Sequence, residues 1–222
     1  MRRFWLSGLI LATVAVAPAW AAPLPPGEVQ DLVGRLQAAH ENNSSLQANF
    51  REERRMAMLK DPVVSQGKIW FTLPDKIRRE IAGNAPSITV INGRKMVIFY
   101  PNFKEEESYD LEKRPILKDS LQALTAGLNF RQVSTYYNIE ASREGNEYRV
   151  LLTPKTAGIR RIMKAVTLTI DQNLTPERVN FESASGERVA ITYSEVRRDP
   201  VPESFYEFNP PAGTKVTTPL GS

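Results

Sequence analysis

The sequence predicts an α+β fold that is mainly antiparallel β, about 11 strands carrying two amphipathic helices. Three observations predict it. Short runs of β-branched and aromatic residues alternate with turn signals from residue 46 to residue 196. Helical spacing is confined to residues 28–39 and to an island within residues 115–129. No repeat of fixed period and no low-complexity linker divides the 222 residues, so one domain is expected after the N-terminal segment.

That segment, residues 1–21, has the pattern of a cleavable export signal. Arg2 and Arg3 precede a nearly unbroken apolar run from Phe4 to Val16, and Pro18 then breaks it. Ala19-Trp20-Ala21 places small residues at −3 and −1 of a cut before Ala22. The run falls short of the roughly 20 apolar residues of a membrane span. The expected product is residues 22–222, soluble and periplasmic where the cell has two membranes.

Beyond a proline-rich start, Val29, Leu32, Val33, Leu36 and Ala39 recur at three and four, the apolar stripe of one helix, ended by Asn42, Asn43, Ser44 and Ser45. Strands are expected at 46–58, 64–73, 76–82, 87–92, 95–100, 105–110, 136–142, 147–153, 163–171, 176–183 and 187–196. Asn92-Gly93, Gly145-Asn146 and Ser185-Gly186 supply tight hairpin turns, while Pro74, Pro101 and Pro154 punctuate strand ends. In the island, Leu117, Leu121, Leu124 and Leu128 form one leucine stripe after Pro115, which suits a first helical turn.

On a pleated strand Ile69, Phe71 and Leu73 share one face, and Lys68, Trp70 and Thr72 the other. The hairpin 87–100 carries apolar groups on both faces. An apolar sheet face under two helices is either ordinary core or the wall of a cavity with the helices as its lid, and the residues alone leave both open.

Composition removes several chemistries. Without cysteine there is no disulfide, thiolate nucleophile or thiolate metal ligand, and His40 stands without a partner set. Removing Arg2 and Arg3 leaves 27 basic against 25 acidic residues, a net charge of +2, which is no nucleic-acid footprint. Asp75, Glu80, Asp110 and Glu112 are too scattered for a hydrolase's acid–base pair, so no enzyme, cofactor or metal site is expected. Lys104-Glu105-Glu106-Glu107 alternates faces on a strand and reads as a solvated edge; Arg78-Arg79 and Arg160-Arg161 suit either solvent or anionic lipid heads.

Five segments, in order, resemble one family, the LolA lipoprotein carriers: Leu46-Gln-Ala-Asn-Phe50, Gly67-Lys-Ile-Trp-Phe-Thr-Leu-Pro-Asp-Lys-Ile-Arg-Arg-Glu80, Val90-Ile-Asn-Gly-Arg-Lys-Met-Val-Ile-Phe-Tyr-Pro101, Leu152-Thr-Pro-Lys155 and Phe208-Asn-Pro-Pro-Ala-Gly213. The resemblance runs from about Leu32 to Val216. It implies an unclosed antiparallel half-barrel whose helices close over a hydrophobic cavity for acyl chains. It also implies a monomer that takes lipoprotein, or another acylated lipid, from an inner-membrane transporter and hands it to an outer-membrane acceptor. On that reading Phe50, Ile69, Phe71, Leu73, Ile77, Val90, Val97 and Phe99 are the cavity wall, and Leu117, Leu121, Leu124 and Leu128 the lid. Family members carry an arginine before the strand-breaking proline, a phenylalanine a few residues on and a tryptophan on the same face. Here those positions are Leu73, Ile77 and Arg79, leaving Arg79 to replace the lid-locking arginine. Divergent relatives of this fold carry other lipids, serve exporters of lipid-like products or sense envelope stress.

Overall fold

The computed structural model describes residues 22–41, 45–114, 130 and 133–219. The export segment, Asn42 to Ser44, the side chain of His40 and the island leucines Leu117, Leu121, Leu124 and Leu128 lie outside the described residues.

Helix α1 is Pro26–Glu41. Its apolar stripe buries Leu32, Val33 and Leu36, as the three-and-four spacing requires. The strands are β1 (Ser45–Arg55), β2 (Val63–Thr72), β3 (Lys76–Ala82), β4 (Ser87–Asn92), β5 (Lys95–Tyr100), β6 (Glu105–Asp110), β7 (Tyr137–Glu144), β8 (Glu147–Pro154), β9 (Met163–Ile170), β10 (Pro176–Ser183), β11 (Arg188–Arg197) and β12 (Lys215–Thr217). Single helical turns α2 (Val133–Tyr136) and α3 (Ala157–Arg160) sit before β7 and β9, and 3-10 turns occupy Leu111–Lys113 and Glu203–Tyr206.

All twelve strands form one sheet in the order β12-β6-β5-β4-β3-β2-β1-β11-β10-β9-β8-β7. Neighbours are antiparallel except β12, which lies parallel to β6. The end strands β7 and β12 do not pair, so the sheet stays unclosed, as a half-barrel does. The twelve strands include eleven close to the expected ones. The twelfth, Lys-Val-Thr, is too short to show alternation, and its pairing joins residues 110 positions apart, Lys215 with Glu105.

Turn chemistry is simpler than expected. Asn92 pairs with Lys95, so Gly93 and Arg94 make the turn, and Gly93 carries the positive φ of 59°. Gly67 has a different role: a Cβ there would stand 1.8 Å from the backbone oxygen of Glu80, so only glycine lets β2 and β3 approach.

The pleat and the registers divide the sheet into two faces. The helix face carries α1, whose Leu32, Val33 and Leu36 form one cluster with Ala141, Val150, Leu152, Val166 and Leu168 of β7, β8 and β9. The opposite, tail face of β2 to β5 is covered by residues 203–208. Trp70 meets Phe205 edge-on at 4.9 Å, Phe99 lies 5.2 Å from Phe208, and the Thr72 and Tyr206 hydroxyls share a hydrogen bond of 2.8 Å.

Candidate functional site

Register carries the helix face without interruption from the α1 core to the other end of the sheet. Leu168 opposes Val179, Val179 opposes Ile191, Ile191 opposes Glu52 and Tyr193 opposes Phe50. Phe50 opposes Gly67, Phe71 opposes Ile77, Ile77 opposes Ile91, Ile91 opposes Met96 and Ile98 opposes Glu107. On β2 to β5 this face is a strip that carries Ile69, Phe71, Ile77, Ile91, Met96 and Ile98, with Arg79 and Thr89 in line between Ile69 and Ile98. Leu111, from the turn after β6, packs on its Ile91–Met96 end.

Polar groups frame the strip on both sides. Toward β1, Glu52 is buried and accepts from Arg79 Nη2 at 2.8 Å and from Arg54 Nη2 at 3.2 Å. The Arg79 guanidinium lies 4.4 Å over the Phe50 ring, and Arg54 reaches Glu187 at 3.1 Å. Burial lowers the Arg79 pKa from its ordinary value, and the Glu52 charge pulls it back up. The Tyr193 phenol is pushed up to about 12, first by burial. Toward β6, Glu107 accepts from the Tyr109 hydroxyl at 2.8 Å and from Tyr100 at 3.4 Å. Burial, then the bond to Glu107, raises Tyr109 to about 12. Apolar side chains flanked by hydrogen-bonded polar clusters, with Arg79 among them, can hold hydrocarbon on the Phe71–Met96 side and polar atoms near Arg79.

The predicted site residues therefore part company. Phe50, Ile69, Phe71 and Ile77 come together on the helix face, Phe50 on its polar margin. Leu73 falls beyond the end of β2 at Thr72 and is half-buried in the following turn. Val90, Val97 and Phe99 stand on the tail face: Val90 opposes Val97 and both are buried, and Phe99 lies against Phe208. They share no surface with Phe71, because side-chain direction reverses at each residue and their register has the other parity. Ile91, Met96 and Ile98 hold the places on the strip that Val90, Val97 and Phe99 were expected to fill. Both faces of this hairpin are apolar, so alternation could not distinguish them. Arg79 lies on the expected face, but Glu52 of β1 is its ion-pair partner. Glu52 itself carries no sequence signal; it sits in a charged run, Arg51 to Arg55.

Among the described residues no group of three His, Cys, Asp or Glu could hold a metal ion, and no helix is long and apolar enough to cross a membrane. A separate groove of about 600 Å³ lies between α1 and edge strand β7, lined in part by Leu24, Val29, Val33, Tyr137 and Ile139.

Comparison with known proteins agrees with this architecture. The family model described as outer membrane lipoprotein carrier protein LolA matches residues 41–209. An outer-membrane lipoprotein carrier protein from Chromohalobacter salexigens is 23% identical over 210 residues, covering 91% of this chain and 94% of its own. Among solved structures, an uncharacterized conserved protein from Thermus thermophilus has the same fold, with a TM-score of 0.51 at 14% identity over 86% of this chain and 98% of that one. A LolA superfamily protein from Nitrosomonas europaea, also 14% identical, matches with a TM-score of 0.44 over 81% of this chain and 97% of its own.

Proposed function

The chain belongs to the LolA family of outer membrane lipoprotein carriers, and from that membership we propose that it escorts acylated cargo through the periplasm, its chains held on the strip between Phe71 and Ile98. The observation that carries this reading is the contrast within the helix face. Around β7 to β9 the face is filled by α1. On β2 to β5 it carries six apolar side chains, of which Ile69, Ile77 and Ile98 stay half-buried, with Arg79 and Thr89 among them and Glu52 and Glu107 at the sides. Leu117, Leu121, Leu124 and Leu128 are the proposed roof.

The physics asks for such a strip. Each buried methylene contributes about 0.8 kcal/mol, so one long acyl chain in water costs on the order of 10 kcal/mol. A periplasmic escort must remove nearly all of that exposure and still release the chain. The sequence has no G-x-x-x-x-G-K-[ST] loop, so the energy for loading is assigned to an inner-membrane donor, with an outer-membrane acceptor receiving the cargo. The work is binding and transfer, without catalysis, by a monomer formed of residues 22–222 after removal of the export segment.

The Glu52–Arg79 pair favours one refinement. The Nε and Nη1 donors of Arg79 have no hydrogen-bond partner among the described residues. Cargo with oxygen-rich atoms at the head of its chains, whether lipoprotein or another lipid, fits that margin best.

The test is mass spectrometry of the apolar molecules that leave the periplasm with the purified protein, together with displacement of an environment-sensitive dye by acyl ligand. Acylated cargo and dye displacement are expected, and Leu121→Glu is expected to abolish retention with the β fold kept. A protein that carries no lipid and binds no dye ends this reading. Unchanged retention in Leu121→Glu ends the roof assignment alone.

A further inference from the structure

The large hydrophobic side chains exposed among the described residues are Met58, Leu59, Val63, Val64, Phe103 and Val216. They come from three separate parts of the chain, and the strand directions bring all six to one end of the sheet. Residues 56–62 join β1 to β2, and Val63 and Val64 open β2 at the same end, opposite Arg54 and Glu53. Residues 101–104, with Phe103, join β5 to β6, and β12 begins beside Glu105 because it runs parallel to β6. None of the six lies at the other end, where Gly93 and Arg94 turn.

The exposure is large: 96% for Met58 at one tip and 74% for Phe103 at another. The β1–β2 tip also projects. The β2–β3 ladder begins only at Gln66 with Ala82, so Val63 and Val64 stand beyond β3. Four strand spacings separate the middle of the β1–β2 turn from the middle of the β5–β6 turn, which puts the two tips roughly 20 Å apart across the sheet. Each tip couples an apolar point to a lysine: Met58-Leu59-Lys60 and Phe103-Lys104. Neither lysine is ion-paired among the described residues, and Arg55 faces Arg188 across the neighbouring ladder. The acids at this end are Asp61, Glu53, which pairs with Arg51 and Arg55, Glu187, which pairs with Arg54, Glu105, which Lys215 takes at 3.2 Å, and buried Glu106.

We infer that this end of the sheet is a membrane-docking edge. Met58, Leu59 and Phe103 enter the interfacial region of a bilayer, while Lys60 and Lys104 meet anionic phospholipid headgroups. An apolar point with a lysine beside it suits that interface, because hydrocarbon leaves water there while the ammonium group keeps polar partners. Two tips on one sheet also define an orientation, strands end-on to the bilayer, which a single tip would not. The proposal goes beyond the carrier reading and stands without it, since it concerns the turns and not the strip.

The experiment is flotation of the purified protein with vesicles of phosphatidylcholine containing phosphatidylglycerol, against phosphatidylcholine alone. Binding to the anionic vesicles, weakened by salt, is expected. The triple substitution Met58→Ser, Leu59→Ser and Phe103→Ser should lower the vesicle partition coefficient by about tenfold or more, since three buried apolar side chains are lost. Lys60→Glu with Lys104→Glu should abolish the preference for anionic vesicles. Circular dichroism, thermal melting and dye binding should match the parent in both variants, which separates this edge from the acyl strip. Absence of vesicle binding by the parent overturns the proposal, as does a triple variant that binds as the parent does. A parent that dimerises through these tips, with the triple variant monomeric and vesicle binding unaltered, assigns the edge to a second copy instead.

Discussion

One face of one sheet serves two different ends. Under α1, Leu152 and Leu168 interlock with Leu32 and Leu36 and are buried to about 1% exposure or less. Four or more strands away the same face carries Ile69, Ile77 and Ile98, only half-buried, with Arg79 standing between Ile69 and Ile98, its partner Glu52 on one side and Glu107–Tyr109 on the other. Apolar side chains are thus closely packed in one half, while in the other buried Phe71, Ile91 and Met96 stand beside partly accessible Ile69, Ile77 and Ile98. The difference teaches that apolar residues on a sheet do not identify core. What identifies it is whether a second layer fills their grooves.

Substitutions can break or sharpen this comparison. The largest effect is expected at Leu168→Ala, which leaves a void where nothing can collapse. It should cost about 4 kcal/mol in denaturant unfolding, with dye affinity per folded molecule unchanged. Gly67→Ala should cost about 3 kcal/mol, because a methyl against the Glu80 carbonyl forces β2 from β3. A fully stable Gly67→Ala would mean the strip tolerates a wider β2–β3 gap. Glu52→Ala should lose about 2–3 kcal/mol in the same measurement by stranding Arg79, and Glu52→Ala with Arg79→Met should recover most of it. At the strip itself, Ile98→Ala should cost only about 1 kcal/mol of stability, yet weaken dye binding several-fold. Equal stability losses at Ile98 and Leu168 would erase the distinction between the halves.

The smallest effect lies in alkali. Folding raises the Tyr109 and Tyr193 phenols to about 12, against an ordinary value of about 10. Above pH ~10 the unfolded chain therefore holds fewer protons than the folded one, and stability falls as pH rises from about 10 to about 12. Below pH ~10 their contribution is complete and constant. Titration of tyrosinate absorbance should show late-ionising phenols, with one fewer in Tyr109→Phe.

Much of this was legible in the residues. Val29, Leu32, Val33 and Leu36 predicted α1 and its buried side, and the alternation Ile69, Phe71 predicted the inward side of β2. What escaped has a common cause. Val90 and Ile91 are adjacent and both apolar, so parity alone could not say which faces the strip; the pairing of Asn92 with Lys95 and of Ile77 with Ile91 decides it. Glu52 and Arg79 are 27 positions apart and meet only because β2 lies between their strands. Trp70 is covered by Phe205, which no local pattern announces.

By itself, then, the sequence determined the kinds of element, the turns between them and the family likeness, because propensity, periodicity and short motifs act over a few neighbouring residues. Only the tertiary structure decided which face each hairpin residue joins, that Arg79 spends its charge on Glu52, and that Met58, Phe103 and Val216 gather at one end. Those outcomes depend on strand order and register, contacts between residues distant in the chain, and no local pattern encodes them.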